Sequence, residues 1–127
     1  MEKPKEIEFG FEFDYKKIWE LKIPVEEMDI DELKWNLDVP YLDKIGTDDW
    51  NLTPRELIAN LERESLHFDA LKKADLAYPI AIYYHAGKWK ILDGIHRFCK
   101  AILNGAKTIK VKKVTEKMIS YIKITRD

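Results

Sequence analysis

Residues 79–92 constrain the fold of this chain more than any other segment. The apolar run of residues 79–85 predicts a strand, Ala86-Gly87 predicts a tight turn, and residues 88–92 predict the returning strand. A hairpin of this kind must pack one face against other elements, because two strands alone are only marginally stable in water. The rest of the chain therefore has to supply a partner strand and covering helices.

The segment that follows supplies both. After Asp93-Gly94, apolar residues recur at helical spacing: Ile95, Phe98, Cys99, Ile102 and Leu103. This pattern predicts an amphipathic helix, and Gly105 stands where a helix commonly ends. Residues 108–114 then alternate again and predict a further strand.

The flanking regions predict additional elements. Alternation predicts strands at residues 7–13 and 18–23, and apolar spacing predicts a short helix within 25–34. Residues 35–50 read as a loop rich in large apolar side chains. A capping box, Thr53-Pro54-Arg55-Glu56, predicts the start of a helix that reaches about residue 73, with a break near residues 65–67. Residues 115–121 predict a last short helix. Together these elements predict a single α+β domain over residues 1–127, with a small mixed β-sheet and packed helices.

Composition excludes some classes of protein. Hydrophobic residues make up 46% of the 127 residues, enough for a core, so wholesale disorder is not expected. The net charge of −1 argues against bulk attraction to nucleic acid or to anionic lipid. However, residues 1–85 carry 20 acidic and 11 basic side chains, whereas residues 86–127 carry 3 and 11. Two interpretations stay open: mutual attraction of the halves, or a cationic C-terminal face that meets phosphate.

Cysteine content and hydropathy bear on the compartment. Cys99 is the single cysteine, so an intrachain disulfide and a cysteine-based zinc cluster are excluded, which fits a reducing cytoplasm. Because Cys99 falls on the apolar stripe, we expect a core residue rather than a nucleophile. The first residues show no signal peptide, and no apolar run is long enough for a membrane span.

The turn at Asp93-Gly94 is the place where the sequence concentrates chemistry. A helix start offers unpaired amides and a partial positive charge, and an anion is its natural complement. His96 and Arg97 add donors in the first turn, and Lys100 lies one turn further on. For each side chain a plain alternative stays open: Asp93 as an N-cap or turn residue, and the cations as surface groups.

Residues outside the turn offer further hypotheses. If His67 and Asp75 converge with Asp93 and His96, the four side chains would serve as acid and base or hold a divalent ion, although the alternative is an ordinary helix surface. Three aromatic residues of the loop region are candidates for stacking on a base, with core or lid packing as the alternative: Trp35, Tyr41 and Trp50.

Two stretches carry a resemblance to a known family: YPIAIYYHAGKWKILDGIHRFCKAILNGAKTIKVKKV, and upstream HFDALKKADLAYPI. They resemble the ParB/sulfiredoxin-like superfamily, in which a hairpin strand leads into a D-G-x-H-R type turn, a helix and an I-x-V strand. The match is best over residues 66–114, and in this respect the chain resembles small stand-alone ParB-like nuclease domain proteins. The resemblance implies that Gly94, His96 and Arg97 contact the phosphates of a nucleotide.

The chain departs from the family's named enzymes. Ile95 stands where sulfiredoxins have their catalytic cysteine, and 127 residues leave no room for the DNA-binding and dimerisation domains of partition proteins. The free-serine kinases are longer. These departures argue against the specific activities of those members.

The function predicted from the resemblance is nucleoside-triphosphate-dependent hydrolysis or phosphotransfer, with ATP or CTP and Mg²⁺. Asp93, His96 and His67 are the predicted catalytic residues, and Asp93 is the predicted metal ligand. The predicted nucleotide contacts are Gly94, Ile95, His96, Arg97 and Lys100. Alternatives are a nucleotide- or protein-binding module without turnover, and a nuclease that uses the basic C-terminal half on DNA or RNA. A homo-oligomer is a further prediction.

Overall fold

The computed structural model describes residues 13–44, 46–47 and 50–124. Its helices are α1 Tyr15–Glu20, a 3₁₀ helix Ile30–Asp38, α2 Pro54–Ala59, α3 Ser65–Lys73, α4 Ile95–Leu103 and α5 Glu116–Ile122. Its strands are β1 Glu26–Asp29, β2 Ile80–His85, β3 Lys88–Asp93 and β4 Thr108–Val114. The predicted hairpin, the helix after it and the following strand are confirmed.

The four strands form one mixed sheet in the order β1-β4-β2-β3. β1 pairs antiparallel with β4, β2 pairs antiparallel with β3, and the central β2 and β4 are parallel. In the parallel pair, Ala81 lies opposite Lys112. The register of the hairpin shifts between Ala81 and Ile82, next to the place where Asp93 ends β3. The α+β class with a mixed sheet is therefore confirmed.

Alternation along the strands separates two apolar faces. Ile80 and Ile82 point into the main core cluster with Phe98 of α4, whereas Ala81 joins a second cluster with Ile18 of α1. The main cluster also holds apolar residues of β1, β4 and the 3₁₀ helix, and the second holds Val114 and Ile122. Helices α1 and α5 thus cover one face of the sheet, and α4 with the 3₁₀ helix covers the other.

The helix predicted from residue 53 to about 73 is broken, as its sequence suggested. Thr53 caps α2 through its side chain, and Glu56 returns the bond to the Thr53 amide, which completes the capping box. The break occupies the residues between Asn60 and Glu64, slightly before the predicted position. The last helix also forms, with Thr115 at its N-cap position.

Three predictions for the N-terminal region are wrong or outside the described residues. The strand predicted at 18–23 does not form: residues 18–20 end helix α1, which the Asp14 side chain caps and in which Ile18 is the single buried residue. The helix predicted within 25–34 is instead β1, which gains its partner β4 at the sheet edge, followed by the 3₁₀ helix. That helix also takes the first residues of the predicted loop. The strand predicted at 7–13 lies outside the described residues, except for Phe13.

No helix within the described residues combines the length and apolar character needed to cross a bilayer. The assignment of the whole chain to one domain stays a prediction.

Candidate functional site

Gly94 forms the bend between β3 and α4 in the left-handed conformation, with φ 103° and ψ 27°. A Cβ at this position would lie 2.6 Å from Cγ2 of Ile80 and 3.2 Å from its Cα. Because β2 packs directly against the bend, only glycine satisfies both the conformation and the available space. The Phe98 amide donates to the Gly94 carbonyl at 2.9 Å, so α4 begins here. The amides of its first turn have no intrahelical acceptor.

A cavity of about 360 Å³ lies beside this bend. It is formed where α1 crosses the ends of β2 and β3, and it is lined by Ile18, Trp19, Tyr78, Pro79, Ala81, Asp93, Arg97 and Lys112. Two predicted site residues, Asp93 and Arg97, therefore face the same space. The other ionisable lining residues, Tyr78 and Lys112, were not predicted.

Arg97 is held at the cavity wall by the protein's own acceptors. Its Nη1 donates to the Pro79 carbonyl at 2.5 Å, and its Nη2 lies 3.8 Å from Oδ2 of Asp93. The same Oδ2 accepts a hydrogen bond from the Trp19 indole Nε1 at 2.9 Å. Asp93 is thus a carboxylate that competes for the guanidinium, and it fixes the indole of α1 over the turn.

Lys112 reaches the cavity from the central strand β4. Its Nζ donates to the Ile18 carbonyl at 3.3 Å, and this acceptor is neutral. The side chain arrives there because the parallel register sets Lys112 beside Ala81, another lining residue. With Arg97 and Asp93, the charged lining side chains sum to +1, so the cavity favours an anion.

Two large aromatic side chains stand at the cavity edge. Trp19 is 58% exposed and Tyr78 is 66% exposed, although both line the cavity. Tyr15 meets Trp19 edge to face, with ring centroids 5.4 Å apart, which supports the indole from one side. An exposed aromatic side chain beside cationic groups can stack on the planar ring of a ligand.

His96 takes a different direction from Arg97. Its Nε2 lies 3.0 Å from Nδ1 of His67 on α3, and Nε2 of His67 lies 2.7 Å from the Asp43 carbonyl. Burial lowers the pKa of His96, and the neighbouring His67 lowers it further. Consecutive residues of an α-helix are separated by about 100°, which sends these adjacent side chains to different neighbours. Of the four side chains whose convergence was the hypothesis, His67 and His96 meet, whereas Asp93 lines the cavity with Arg97.

The remaining predicted contacts have structural partners. The Lys100 ammonium donates to the carbonyls of Lys72 at 3.1 Å and Ala74 at 2.6 Å, so it caps the C-terminus of α3. The Ile95 side chain packs against two apolar clusters, one containing Phe98 and the other Cys99. Asp75 accepts a hydrogen bond from the Ala77 amide in a local turn.

The aromatic residues of the predicted loop serve the core. The Trp35 indole donates to the Trp89 carbonyl at 3.0 Å, and the Tyr41 hydroxyl lies between the Asn36 side chain and the Ile91 amide. Burial raises the pKa of Tyr41 well above its usual value. The packing alternative is therefore the observed one for these two residues. Cys99 is fully buried in the core, as predicted.

Metal ligation by Asp93 stays a prediction. Among the residues that the structure describes, no group of three or more His, Cys, Asp or Glu side chains is placed to hold a metal ion. Asp93 alone faces the cavity with a carboxylate.

The fold and the site define a small α+β domain with a cationic, aromatic-edged cavity at a strand-to-helix turn. No protein-family model matches the chain, and no curated protein matches it. A solved structure that matches is sulfiredoxin from Arabidopsis thaliana, at 14% identity and a TM-score of 0.36, covering 76% of this chain and 93% of that one. Sulfiredoxins are among the members that the sequence resemblance names. A likeness of this degree says nothing about activity, so only the residues of the site bear on function.

Proposed function

We propose that the cavity beside Gly94 binds the phosphates of a nucleotide. The observation that carries this proposal is the placement of Arg97 and Lys112 in one cavity edged by exposed Trp19 and Tyr78. A guanidinium offers paired donors that match phosphate oxygens, and an ammonium adds a point charge. Each cation donates a hydrogen bond to a neutral carbonyl, which a more strongly charged acceptor can displace, and Arg97 also lies 3.8 Å from the Asp93 carboxylate.

The aromatic edge is what favours a nucleotide over free phosphate. Stacking of a base on an aromatic side chain contributes about 1–3 kcal/mol. Trp19 is held in place by its bond to Asp93, so little rotamer freedom is lost when a ring stacks on it. Tyr78 precedes Pro79 directly, which restricts the backbone that carries it. The site therefore combines a preorganised ring with cations at its floor.

Turnover is the further part of the proposal. A nucleoside triphosphate, ATP or CTP, would be held with Mg²⁺ bonded to its phosphates and to Asp93, and the chemistry would be hydrolysis or phosphotransfer. Arg97 and Lys112 would stabilise charge that develops on the phosphates. A binding module without turnover uses the same cavity and differs only in phosphate release. A cytoplasmic location belongs to this proposal, because free nucleotides and reduced Cys99 are expected there.

Isothermal titration calorimetry tests the site directly. The ligands are ATP, CTP, GTP and inorganic tripolyphosphate, each with and without Mg²⁺. We expect the nucleotides to bind more tightly than tripolyphosphate, because they also stack, and Arg97→Ala to weaken all four at least tenfold. Arg55→Ala is the matched control, since it removes an exposed cation that pairs with Asp38 away from the cavity. Unchanged affinity in Arg97→Ala, with an unchanged melting temperature, would remove the site assignment.

A phosphate-release assay on the same samples separates an enzyme from a binding module. Release that depends on Arg97 supports turnover, and binding without release supports the module. Nuclease action through the basic C-terminal half stays a prediction. Steeply salt-dependent binding to oligonucleotides, together with no binding of free nucleotides, would favour it over the proposal.

A further inference from the structure

Two of the three histidines in this chain are hydrogen-bonded to each other. Nδ1 of His67 and Nε2 of His96 are 3.0 Å apart, and the ring planes are inclined by 26°. The ring centroids are 5.2 Å apart, much further than the two nitrogens. The rings therefore meet edge to edge in nearly one plane, not face to face, and this orientation aligns a nitrogen lone pair of one ring with an N–H of the other.

The partners of His67 determine which nitrogens carry protons. Nε2 of His67 is 2.7 Å from the Asp43 carbonyl oxygen, which only accepts, so this nitrogen is the protonated one. In a neutral His67 the other nitrogen, Nδ1, is then an acceptor. His96 must donate to it through Nε2–H, which leaves Nδ1 of a neutral His96 without a proton. One carbonyl oxygen thus sets the tautomers of both rings.

The charged groups near the His67–His96 pair belong to the segment before α2 and to α4. The Asp43 carboxylate, from the segment before α2, has Oδ1 3.5 Å from Nε2 of His67. On α4, Lys100 is directed to the carbonyls at the end of α3, and Arg97 is directed to the Pro79 carbonyl and Asp93. A positive charge on the pair is therefore stabilised best on His67, beside Asp43.

We propose that His96, His67 and Asp43 form a proton relay in which Nδ1 of His96 accepts a proton and His67 carries the resulting charge. When a water or hydroxyl group donates a proton to Nδ1 of His96, the proton on Nε2 of His96 moves to Nδ1 of His67. The bonding pair stays on Nε2, and the donor oxygen is left as hydroxide or alkoxide. His67 and Asp43 are positioning residues that act through His96.

The relay stands apart from the proposed nucleotide site. His96 does not line the cavity that holds Arg97, so its chemistry is independent of what that cavity binds. The lowered pKa of His96 keeps it neutral and able to accept a proton near pH 7. Two interacting rings also take up protons as a pair, because the first proton disfavours the second. A general base of this kind is what removal of a proton from a water or hydroxyl group requires.

Two-bond ¹H–¹⁵N NMR spectra of the ¹⁵N-labelled full chain test the relay, since they report the tautomer and titration of each histidine. At pH 8 we expect both His67 and His96 to be protonated at Nε2. On acidification the signals of both rings should shift together in two shared steps. His85, which lies on β2, is the internal control, and His85→Gln assigns its signals.

Variants then identify the partners. In His67→Gln, His96 should titrate in a single step. Asp43→Asn should lower the first apparent pKa of the pair, because it removes the carboxylate that stabilises the charge on His67. If His67→Gln fails to fold, the Asp43→Asn variant and the tautomers of the wild-type chain still test the relay. The relay is overturned by His96 protonated at Nδ1 at pH 8, or by rings that titrate independently in the wild-type chain.

Discussion

Removing the charge of Asp93 should strengthen binding of a metal-free phosphate ligand at the proposed site. Asp93→Asn has nearly the same shape and keeps an oxygen that can accept the Trp19 indole hydrogen bond, so the cavity should stay intact. What the substitution removes is the carboxylate that lies 3.8 Å from the Arg97 guanidinium. In the wild-type chain that carboxylate both competes for the cation and repels an incoming anion.

The size of the effect follows from distance. A phosphate oxygen bonded to Nη2 of Arg97 at about 2.8 Å lies no more than about 6.6 Å from Oδ2 of Asp93. At that separation, with an effective dielectric constant of about 40, two unit charges repel by about 1.3 kcal/mol. Asp93→Asn should therefore lower the Kd for a metal-free nucleotide or tripolyphosphate nearly tenfold.

Calorimetry with and without Mg²⁺ separates this role from metal ligation. In the presence of EDTA the variant should bind more tightly than the wild-type chain. With Mg²⁺ the effect should shrink or reverse, because a carboxylate bonded to the metal would attract the ligand instead. Asp69→Asn is the control, since it removes an exposed carboxylate that pairs with Lys72 on α3. Equal affinities of wild type and Asp93→Asn without metal would refute the electrostatic reasoning.

Three further predictions concern stability and reactivity. Gly94→Ala should lower the free energy of unfolding by about 2–4 kcal/mol, because the added methyl group meets Ile80 and the backbone is strained. Gly87→Ala should cost only the backbone strain, because its φ is also positive but the space around it is open. Chemical denaturation measures both changes. Cys99 should resist thiol reagents in the native state up to alkaline pH, because burial raises its pKa to about 12, and it should react on unfolding. The fold lowers the pKa of His96 from 6.5, so the unfolded chain binds more protons than the folded chain as the pH falls below that value. The melting temperature should therefore fall on acidification. His96→Gln should flatten this pH dependence, whereas His85→Gln should not.

The parts of the fold that sequence predicted correctly are those with a repeated pattern and clear ends. The hairpin has its Ala86-Gly87 turn, α4 has an apolar stripe along its nine residues, and α2 has a capping box. The strand prediction for residues 18–23 failed because its first three residues end helix α1, in which Ile18 is the single buried residue. Asp14, just outside that window, decided the outcome by capping α1.

The candidate site was only partly predictable, for a reason of geometry. Local sequence located the Gly94 bend and Arg97, because a glycine between a strand and a helix has a direct conformational meaning. It did not locate Lys112, whose position depends on the parallel register of β4 and β2. Trp19 was missed with α1 itself, and Tyr78 is a lone aromatic residue before a proline. Long-range pairing, rather than local pattern, brings these side chains together.

The two cations predicted to act jointly at the bend are separated by the helix that carries them. Arg97 turns toward the cavity under α1, and His96 turns toward His67 on α3, although the residues are adjacent in sequence. One face of the α4 N-terminus is therefore suited to holding an anion, and the other to exchanging a proton with neutral imidazole. A ligand that occupies the Arg97 cavity therefore need not contact His96, which does not line that cavity.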